Sequence, residues 1–203
     1  MRSADVASLL RIPLLLIVVC AIVMHYSPIA VILLLILLFV SDATDGYLAS
    51  AGEHTFLDFI SYLLEEGHLI SKKKRKSGHA PRYAAYLDLA VDRLIEYALW
   101  LTFVLLQVLP WIVFAIILVR NMLADVLLLR KGKVYSRLHT AFGRVASSHL
   151  SRGAYAILKA VNFGYLSLVV VANWPVSIAY LLTIIVVLFS LARGAAEVYE
   201  ALV

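Results

Sequence analysis

Six long apolar segments follow one another along the chain, and they limit its fold more than any other feature. Each is close to the roughly twenty residues that an α-helix needs to cross the hydrocarbon core of a bilayer. Hydrophobic residues occupy 63% of the 203 positions and charged residues 15%, too apolar a balance for a soluble domain of this size. The sequence therefore predicts an all-α polytopic membrane protein, a six-helix bundle forming one membrane domain over 1–203. The spans are expected at about 9–24, 28–43, 85–109, 111–129, 154–171 and 175–192.

Basic residues are distributed unevenly between the connections of these segments. They cluster at 72–76, 130–137 and 144–152, whereas the turns at 25–28, 108–110 and 172–175 contain no Lys or Arg. Connections rich in Lys and Arg stay in the cytoplasm, so both termini and the two long loops are expected there. The expected location is the plasma membrane of a prokaryote. The same distribution argues against nucleic acid as a partner, although the net charge is +5.

A long cytoplasmic insertion, at about 51–82, separates the second and third segments. Between 54 and 70 its apolar and acidic residues alternate as they would on the two sides of a helix lying in the membrane interface. The five consecutive basic residues at 72–76 suit anionic lipid head groups. The insertion is therefore interpreted as an amphipathic anchor or topology signal, with a lid over a substrate as the alternative.

Four aspartates flank this insertion, two on each side. Asp42 and Asp45 end the second segment, and Asp88 and Asp92 begin the third. On a helix, spacings of three and four residues place each pair on one face. Carboxylates at the ends of membrane spans are costly unless cations or water compensate them. With both pairs at the cytoplasmic side, the sequence predicts a site for divalent cations made of oxygen ligands, suited to Mg²⁺, Mn²⁺ or Ca²⁺ better than to zinc.

Such a site at a membrane surface suits a diphosphate, because two metal ions could clamp its phosphoryl oxygens. A carboxylate not fully used by metal could take the proton of an attacking hydroxyl, and Asp92 is the candidate. Gly46 has no side chain and would let a ligand approach the backbone. Two other interpretations stay open. The aspartates could pair with Arg11, Arg93 or Arg120 to hold the bundle together, or they could line a proton or cation pathway.

At these residues the chain resembles the CDP-alcohol phosphotransferases, whose signature reads Asp-x-x-Asp-Gly-x-x-Ala-Arg, a short linker, and Gly-x-x-x-Asp-x-x-x-Asp. The residues that match it are Asp42, Asp45, Gly46 and Ala49 in the first half, and Asp88 and Asp92 in the second. The likeness extends to the six spans and to the Arg11-Ile12 that opens the first segment. Ser50 departs from the signature Arg, and Ala84 from the second Gly. The 33 residues between Ser50 and Ala84 also exceed the linker of the family.

The resemblance implies a transferase of phospholipid head groups. An alcohol hydroxyl would attack the β-phosphorus of a CDP-linked lipid, CMP would leave, and a phosphodiester would form. Two divalent cations, Mg or Mn, would be held by Asp42, Asp45, Asp88 and Asp92, with Asp92 also acting as the general base. The nucleotide would be bound by Asp42, Asp45, Gly46, Ala49 and Asp88.

The acceptor is expected to be a small polar alcohol, and a phosphorylated polyol such as inositol phosphate or glycerol phosphate fits best. Cations in and after the fourth segment could bind its phosphate. They are Arg120, Arg130, Lys133, Arg144 and Arg152. For most of them topology is the simpler explanation, but Arg120 lies inside a span with Asp125 nearby. Membrane lipid is a further expected partner. Homodimers are common in such families, and nothing in the sequence decides whether this chain forms one.

Two rival functions remain. A catalytically degenerate scaffold of the same fold is suggested by Ser50 and Ala84. A cation transporter would use the same aspartates but needs polar residues continuing to the outer face. The outer halves of the segments are almost wholly apolar, with isolated Gln107, Asn162 and Asn173. The transferase is therefore the leading hypothesis.

Overall fold

The computed structural model describes residues 3–49, 82–130 and 149–202. Within these ranges it describes the backbone alone at 3–8, 42–49, 82–86, 88, 127–130, 149–150, 152, 197 and 200–202. The described residues form α1 (Ser3–Val23), α2 (Pro28–Ala49), α3 (Arg82–Leu105), α4 (Trp111–Arg130), α5 (His149–Ala172) and α6 (Val176–Leu202). These ranges contain no strand, which confirms the all-α class for this part of the chain. The amphipathic helix predicted in the insertion lies outside the described residues.

Two of the helices are long and apolar enough to cross a membrane, over Gly153–Ala172 in α5 and Val176–Ala196 in α6. Only 33% and 22% of their apolar windows are buried inside the protein. A core helix of a soluble domain would be buried over most of its length, so these two helices are candidate membrane spans. α1 and α2 contain shorter apolar stretches, Leu9–Val23 and Pro28–Ser41.

The chain divides into two compact units, and the prediction of a single membrane domain stays a prediction. The first unit comprises Met1–Thr102 with Val170–Asn173, and in it α1 packs against α2. The second comprises Phe103–Val169 with Trp174–Val203, and in it α4 packs against α6. Each unit has its own buried apolar side chains.

In the first unit, the buried residues of each helix recur at helical spacing. Leu15, Val18 and Ile22 form one stripe on α1, and Val31, Leu35 and Leu38 form one on α2. On α3, the stripe is Val91, Ile95 and Leu99. Spacings of three and four residues place each stripe on a single face, which is the face that a helix buries.

Left-handed residues follow three of the described helices, and the one after α5 is Asn173 with φ 54°. His25 after α1 has φ 51° and Gln107 after α3 has φ 59°. After α3, the amide of Val108 donates to the carbonyl of Phe103 at 3.0 Å, and that of Gln107 donates to Val104 at 3.0 Å. This is the bond pattern of a Schellman helix end. α3 therefore stops at Leu105, earlier than the apolar segment that the sequence extends to 109.

Candidate functional site

The backbone places both aspartate pairs on helices of the first unit. α2 continues through Ala49, so Asp42 and Asp45 lie on its last two turns, three residues apart. α3 begins at Arg82, so Asp88 and Asp92 lie near its start, four residues apart. Each pair therefore shares a helix face, as the spacing predicts. The side chains of Asp42, Asp45 and Asp88, and those around Gly46, lie outside the described part of the chain.

Asp92 is the member of the set whose side chain the structure describes, and it forms an ion pair with Arg11 of α1. Nη1 of Arg11 lies 2.8 Å from Oδ1 of Asp92. The distance is short, but the angles at this contact are not those of a hydrogen bond, so the attraction is between charges. Arg11 is only 5% exposed, whereas the Asp92 side chain is 41% exposed.

The position of Arg11 explains its burial. It lies four residues before Leu15 and seven before Val18, so it extends the buried stripe of α1 by one turn. A buried guanidinium is costly unless a negative charge is close to it. Asp92 supplies that charge from a neighbouring helix. Of the ion pairs that the sequence leaves open, the one between Arg11 and Asp92 is present.

A buried carboxylate, Glu96, follows Asp92 by one helical turn and is not among the site residues that the sequence predicts. It is 4% exposed, and its Oε2 lies 3.1 Å from Nη1 of Arg93. Asp88, Asp92 and Glu96 are spaced by four residues, so all three belong to one face of α3. The spacing that identifies the aspartate pair also continues to Glu96, and this signal could have found it.

Arg120, a predicted contact for an acceptor phosphate, is bound to its own unit. Its Nε donates to the carbonyl oxygen of Ser190 in α6 at 3.0 Å, and its Nη1 donates to Oδ1 of Asn121 at 2.7 Å. Asn121 is fully buried. Two of the five donors of a guanidinium are thus used within the second unit. This geometry suits a residue that ties α4 to α6.

The close approach of Arg120 to α6 depends on Gly194. A Cβ atom at Gly194 would lie 2.6 Å from Nε of Arg120 and 2.9 Å from its Cγ. These distances are shorter than van der Waals contact, so any larger residue would require the Arg120 side chain to shift. A groove of about 490 Å³ between α4 and α6 runs past both residues. It is lined mainly by apolar side chains such as Val119, Leu123 and Leu191. Its lining suits hydrocarbon better than phosphate.

Two cations lie at an aromatic pair formed by Tyr155 of α5 and Phe189 of α6. Tyr155 is buried and stacks on Phe189, with ring centroids 5.9 Å apart. Nζ of Lys159 lies 5.3 Å from the centre of the Tyr155 ring, and the guanidinium of Arg193 lies 5.2 Å from it. Both distances fit cation–π contacts. Lys159 and Arg193 are therefore held at the aromatic pair. The Arg193 contact was not predicted, because it depends on how α5 and α6 pack.

The structure does not describe the side chains of the other cations predicted to bind the acceptor phosphate. Arg130 and Arg152 are described by backbone alone, and Lys133 and Arg144 lie outside the described residues. Among the described side chains, no group of three or more His, Cys, Asp or Glu could hold a common metal ion. Three of the four proposed carboxylate ligands are not among those side chains.

No protein-family model, no curated protein and no solved structure matches the chain.

Proposed function

We propose that the protein is an integral-membrane transferase that moves a lipid phosphate from a CDP-linked lipid to a small polar alcohol. The observation that carries the proposal is the helical placement of the aspartates. Asp42 and Asp45 on α2, and Asp88 and Asp92 on α3, take the spacings of the CDP-alcohol phosphotransferase signature within one compact unit. Two carboxylate pairs at spacings of three and four can serve one diphosphate-binding site.

In this proposal all six helices cross the membrane, with both termini in the cytoplasm of a prokaryotic cell. Large apolar side chains are exposed on several helices besides α5 and α6. They include Leu16 and Ile17 on α1, Leu33 and Leu37 on α2, and Val119 and Leu123 on α4. Apolar surface of this extent would promote aggregation in water, whereas lipid would cover it without cost. The basic loops then face the cytoplasm, where the aspartates lie.

The donor set fits the divalent cations that the proposal requires. It consists of carboxylate oxygens, which suit Mg²⁺ and Mn²⁺. We assign Asp42, Asp45, Asp88 and Asp92 to the two cations. Bound ions would offset the negative charge of the diphosphate. Asp92 is half-exposed, so its carboxylate is open to an incoming ligand.

The chain's own residues then have distinct tasks. Asp92 takes the proton of the acceptor hydroxyl as that oxygen bonds to the β-phosphorus of the donor. The bond from the β-phosphorus to the bridging oxygen breaks, and CMP leaves with that oxygen. The proton passes from Asp92 to water afterwards. Gly46 and Ala49 line the nucleotide pocket in this scheme.

The acceptor phosphate, where the alcohol carries one, would contact cations of the cytoplasmic loops. Arg130, Lys133, Arg144 and Arg152 keep this role in the proposal. Arg120 is a weaker candidate, since its contacts with Ser190 and Asn121 already use two of its donors. Inositol phosphate and glycerol phosphate remain the proposed acceptors.

Release of CMP tests the proposal directly. The full chain, reconstituted in lipid nanodiscs, is given a CDP-linked lipid, Mg²⁺ or Mn²⁺, and a panel of polyols and polyol phosphates. We expect CMP release that needs both metal and acceptor and that Asp45→Asn abolishes. Asp125→Asn is a matched control outside the proposed set. A folded protein that binds the donor but releases no CMP with any acceptor would exclude the transferase.

A non-catalytic scaffold of the same fold is the second candidate. The ion pair between Arg11 and Asp92 favours it, because the pair alone justifies a carboxylate at this position. The departures at Ser50 and Ala84 point the same way. A scaffold would keep the pair for stability and would bind no divalent cation at the four aspartates.

A further inference from the structure

The groove between α4 and α6 follows one face of each helix. Its lining begins at Ile112 and ends at Leu123 on α4, and begins at Leu191 and ends at Val198 on α6. On both helices the lining residues recur at spacings of three and four, which places them on a single face. The stretch from Ile112 to Leu123 covers about 16 Å of the helix axis at the rise of an α-helix.

The groove is a hollow with an apolar floor and apolar edges. Gly194 is buried and contributes to the floor, whereas Val119, Leu123 and Leu191 are 55%, 53% and 41% exposed and form the edges. Cγ and Cδ of Arg120 lie closest to Gly194 after Nε, so the aliphatic part of the arginine belongs to the wall. The lining therefore offers dispersion contacts along its whole length.

The dimensions of the groove limit the thickness of what can lie in it. About 490 Å³ over a length of about 16 Å gives a mean cross-section of about 30 Å². An α-helix with its side chains is about 10 Å across and would need about 80 Å². A single hydrocarbon chain is about 4–5 Å thick and needs about 20 Å², because non-bonded carbons approach to about 3.5–4 Å. The groove thus fits one extended hydrocarbon chain and is too narrow for a helix of a second copy.

We propose that this groove is a binding site for one acyl chain of a bilayer phospholipid, which stays with the protein when the surrounding lipid is removed. The inference rests on the membrane placement in the proposed function. It does not need the aspartates or the transfer reaction. A flexible chain fills a hollow of irregular depth, whereas an empty hollow loses the contacts of its lining.

The lining also indicates which lipid supplies the chain. Among the described residues that line the groove, no side chain is acidic, and Arg120 already donates to Ser190 and Asn121. No feature of this lining selects a nucleotide-linked head group. Occupancy of such a site follows concentration, and bilayer phospholipid is the most abundant source of acyl chains in a membrane.

The bound chain should stabilise the second unit, because its carbons contact α4 and α6 together. A ligand that binds the folded state raises stability by mass action. Removal of lipid by detergent should therefore lower the thermal unfolding midpoint of the wild type. The shift should be smaller in a chain whose groove is filled by one of its own side chains.

Native mass spectrometry of the full chain tests the site. The protein is purified in mild detergent with palmitoyl-oleoyl phosphatidylcholine, and the lipids retained by each chain are counted. We expect one retained lipid in the wild type. Ala195→Phe places a ring in the groove and should lower retention at least about tenfold, since each methylene that leaves an apolar site costs about fourfold in affinity. Ala192→Phe is the matched control, because Ala192 is also exposed on α6 but does not line the groove.

A phosphatidylcholine with a diazirine in its palmitoyl chain locates the retained lipid. After irradiation, we expect the label on peptides that contain 112–123 and 191–198. Ala115→Phe fills the groove from α4 and gives the same test should Ala195→Phe not fold. Retention at the wild-type level in the folded filled variants overturns the inference, as does a label spread evenly over the exposed helices.

Two other occupants give different results. Displacement of the retained phosphatidylcholine by an equal amount of CDP-linked lipid would assign the groove to the donor and overturn the inference. A wild-type dimer that Ala195→Phe dissociates would assign it to a second copy, with the same consequence. Lipid retention without CMP release in any condition would remove the transferase and leave the inference standing, and CMP release without lipid retention would do the reverse.

Discussion

Arg120 of α4 lies against the backbone of Gly194 in α6, and this close contact is possible because glycine has no side chain. A Cβ atom at Gly194 would come within 2.6 Å of Nε of Arg120, whose guanidinium donates to Ser190 one turn earlier on α6. The glycine thus allows a charged side chain to lie along an apolar helix and to bind its backbone. This contact joins α4 and α6 within the second unit.

Gly194→Ala should lower stability despite the better helix propensity of alanine. In an unobstructed helix the change would stabilise by about 0.5–1 kcal/mol. Here the new methyl displaces Arg120, at a cost of about 1–3 kcal/mol. Thermal unfolding in detergent measures the net result, which we expect to be a lower midpoint.

The matched control removes the arginine. In an Arg120→Ala chain the methyl at position 194 meets no arginine, so Gly194→Ala should raise the unfolding midpoint there. Equal effects of Gly194→Ala in both chains would show that the contact does not limit this position.

The sequence predicts helices well here because apolar length alone determines where a chain can cross a bilayer. It predicts their ends less well, since those depend on single residues. Gln107 adopts a left-handed conformation that ends α3 at Leu105, although apolar residues continue. In contrast, α6 continues to Leu202, past the apolar segment, because a helix can continue through residues that are not apolar.

The candidate site shows the same division. The spacing of the aspartates is a local property, and the helices α2 and α3 preserve it. The pairing of Arg11 with Asp92 depends on how α1 packs in the first unit, so the sequence could offer it only as one alternative. The contact of Arg120 with Ser190 depends in the same way on the register of α4 and α6.

Gln107→Gly should stabilise the protein. Holding φ near 59° costs a non-glycine residue about 1 kcal/mol or more, and glycine does not have this cost. The greater freedom of glycine in the unfolded chain offsets part of the gain, so we expect about 0.5 kcal/mol. Gln107→Ala is the control, because it removes the side chain and keeps the strain. Thermal unfolding that ranks alanine above glycine would contradict the assignment of this helix end.

The ion pair between Arg11 and Asp92 should appear as a coupling energy between the two positions. Asp92→Asn removes the carboxylate that lies 2.8 Å from a guanidinium only 5% exposed, and should cost about 2 kcal/mol. This figure is below that of a fully buried pair because Asp92 is 41% exposed and water screens it. In an Arg11→Gln chain the same substitution should cost less than about 0.5 kcal/mol. Chemical unfolding of the four chains measures the difference, and additive effects would mean that the pair is energetically neutral.

The orientation of the helices can be read from the accessibility of single cysteines. Cys20 is the chain's one cysteine, so Cys20→Ser gives a chain in which any added thiol reports alone. Ser27, exposed in the turn between α1 and α2, should lie outside the cell, and Ser147 in the basic loop should lie inside. A membrane-impermeant maleimide should therefore label Ser27→Cys in intact cells, and Ser147→Cys only after the membrane is opened. Both substitutions exchange a hydroxyl for a thiol, so the labelling compares position rather than chemistry. Labelling of Ser147→Cys in intact cells would place the aspartates on the outer side and remove them from a cytoplasmic pool of nucleotide-linked donors.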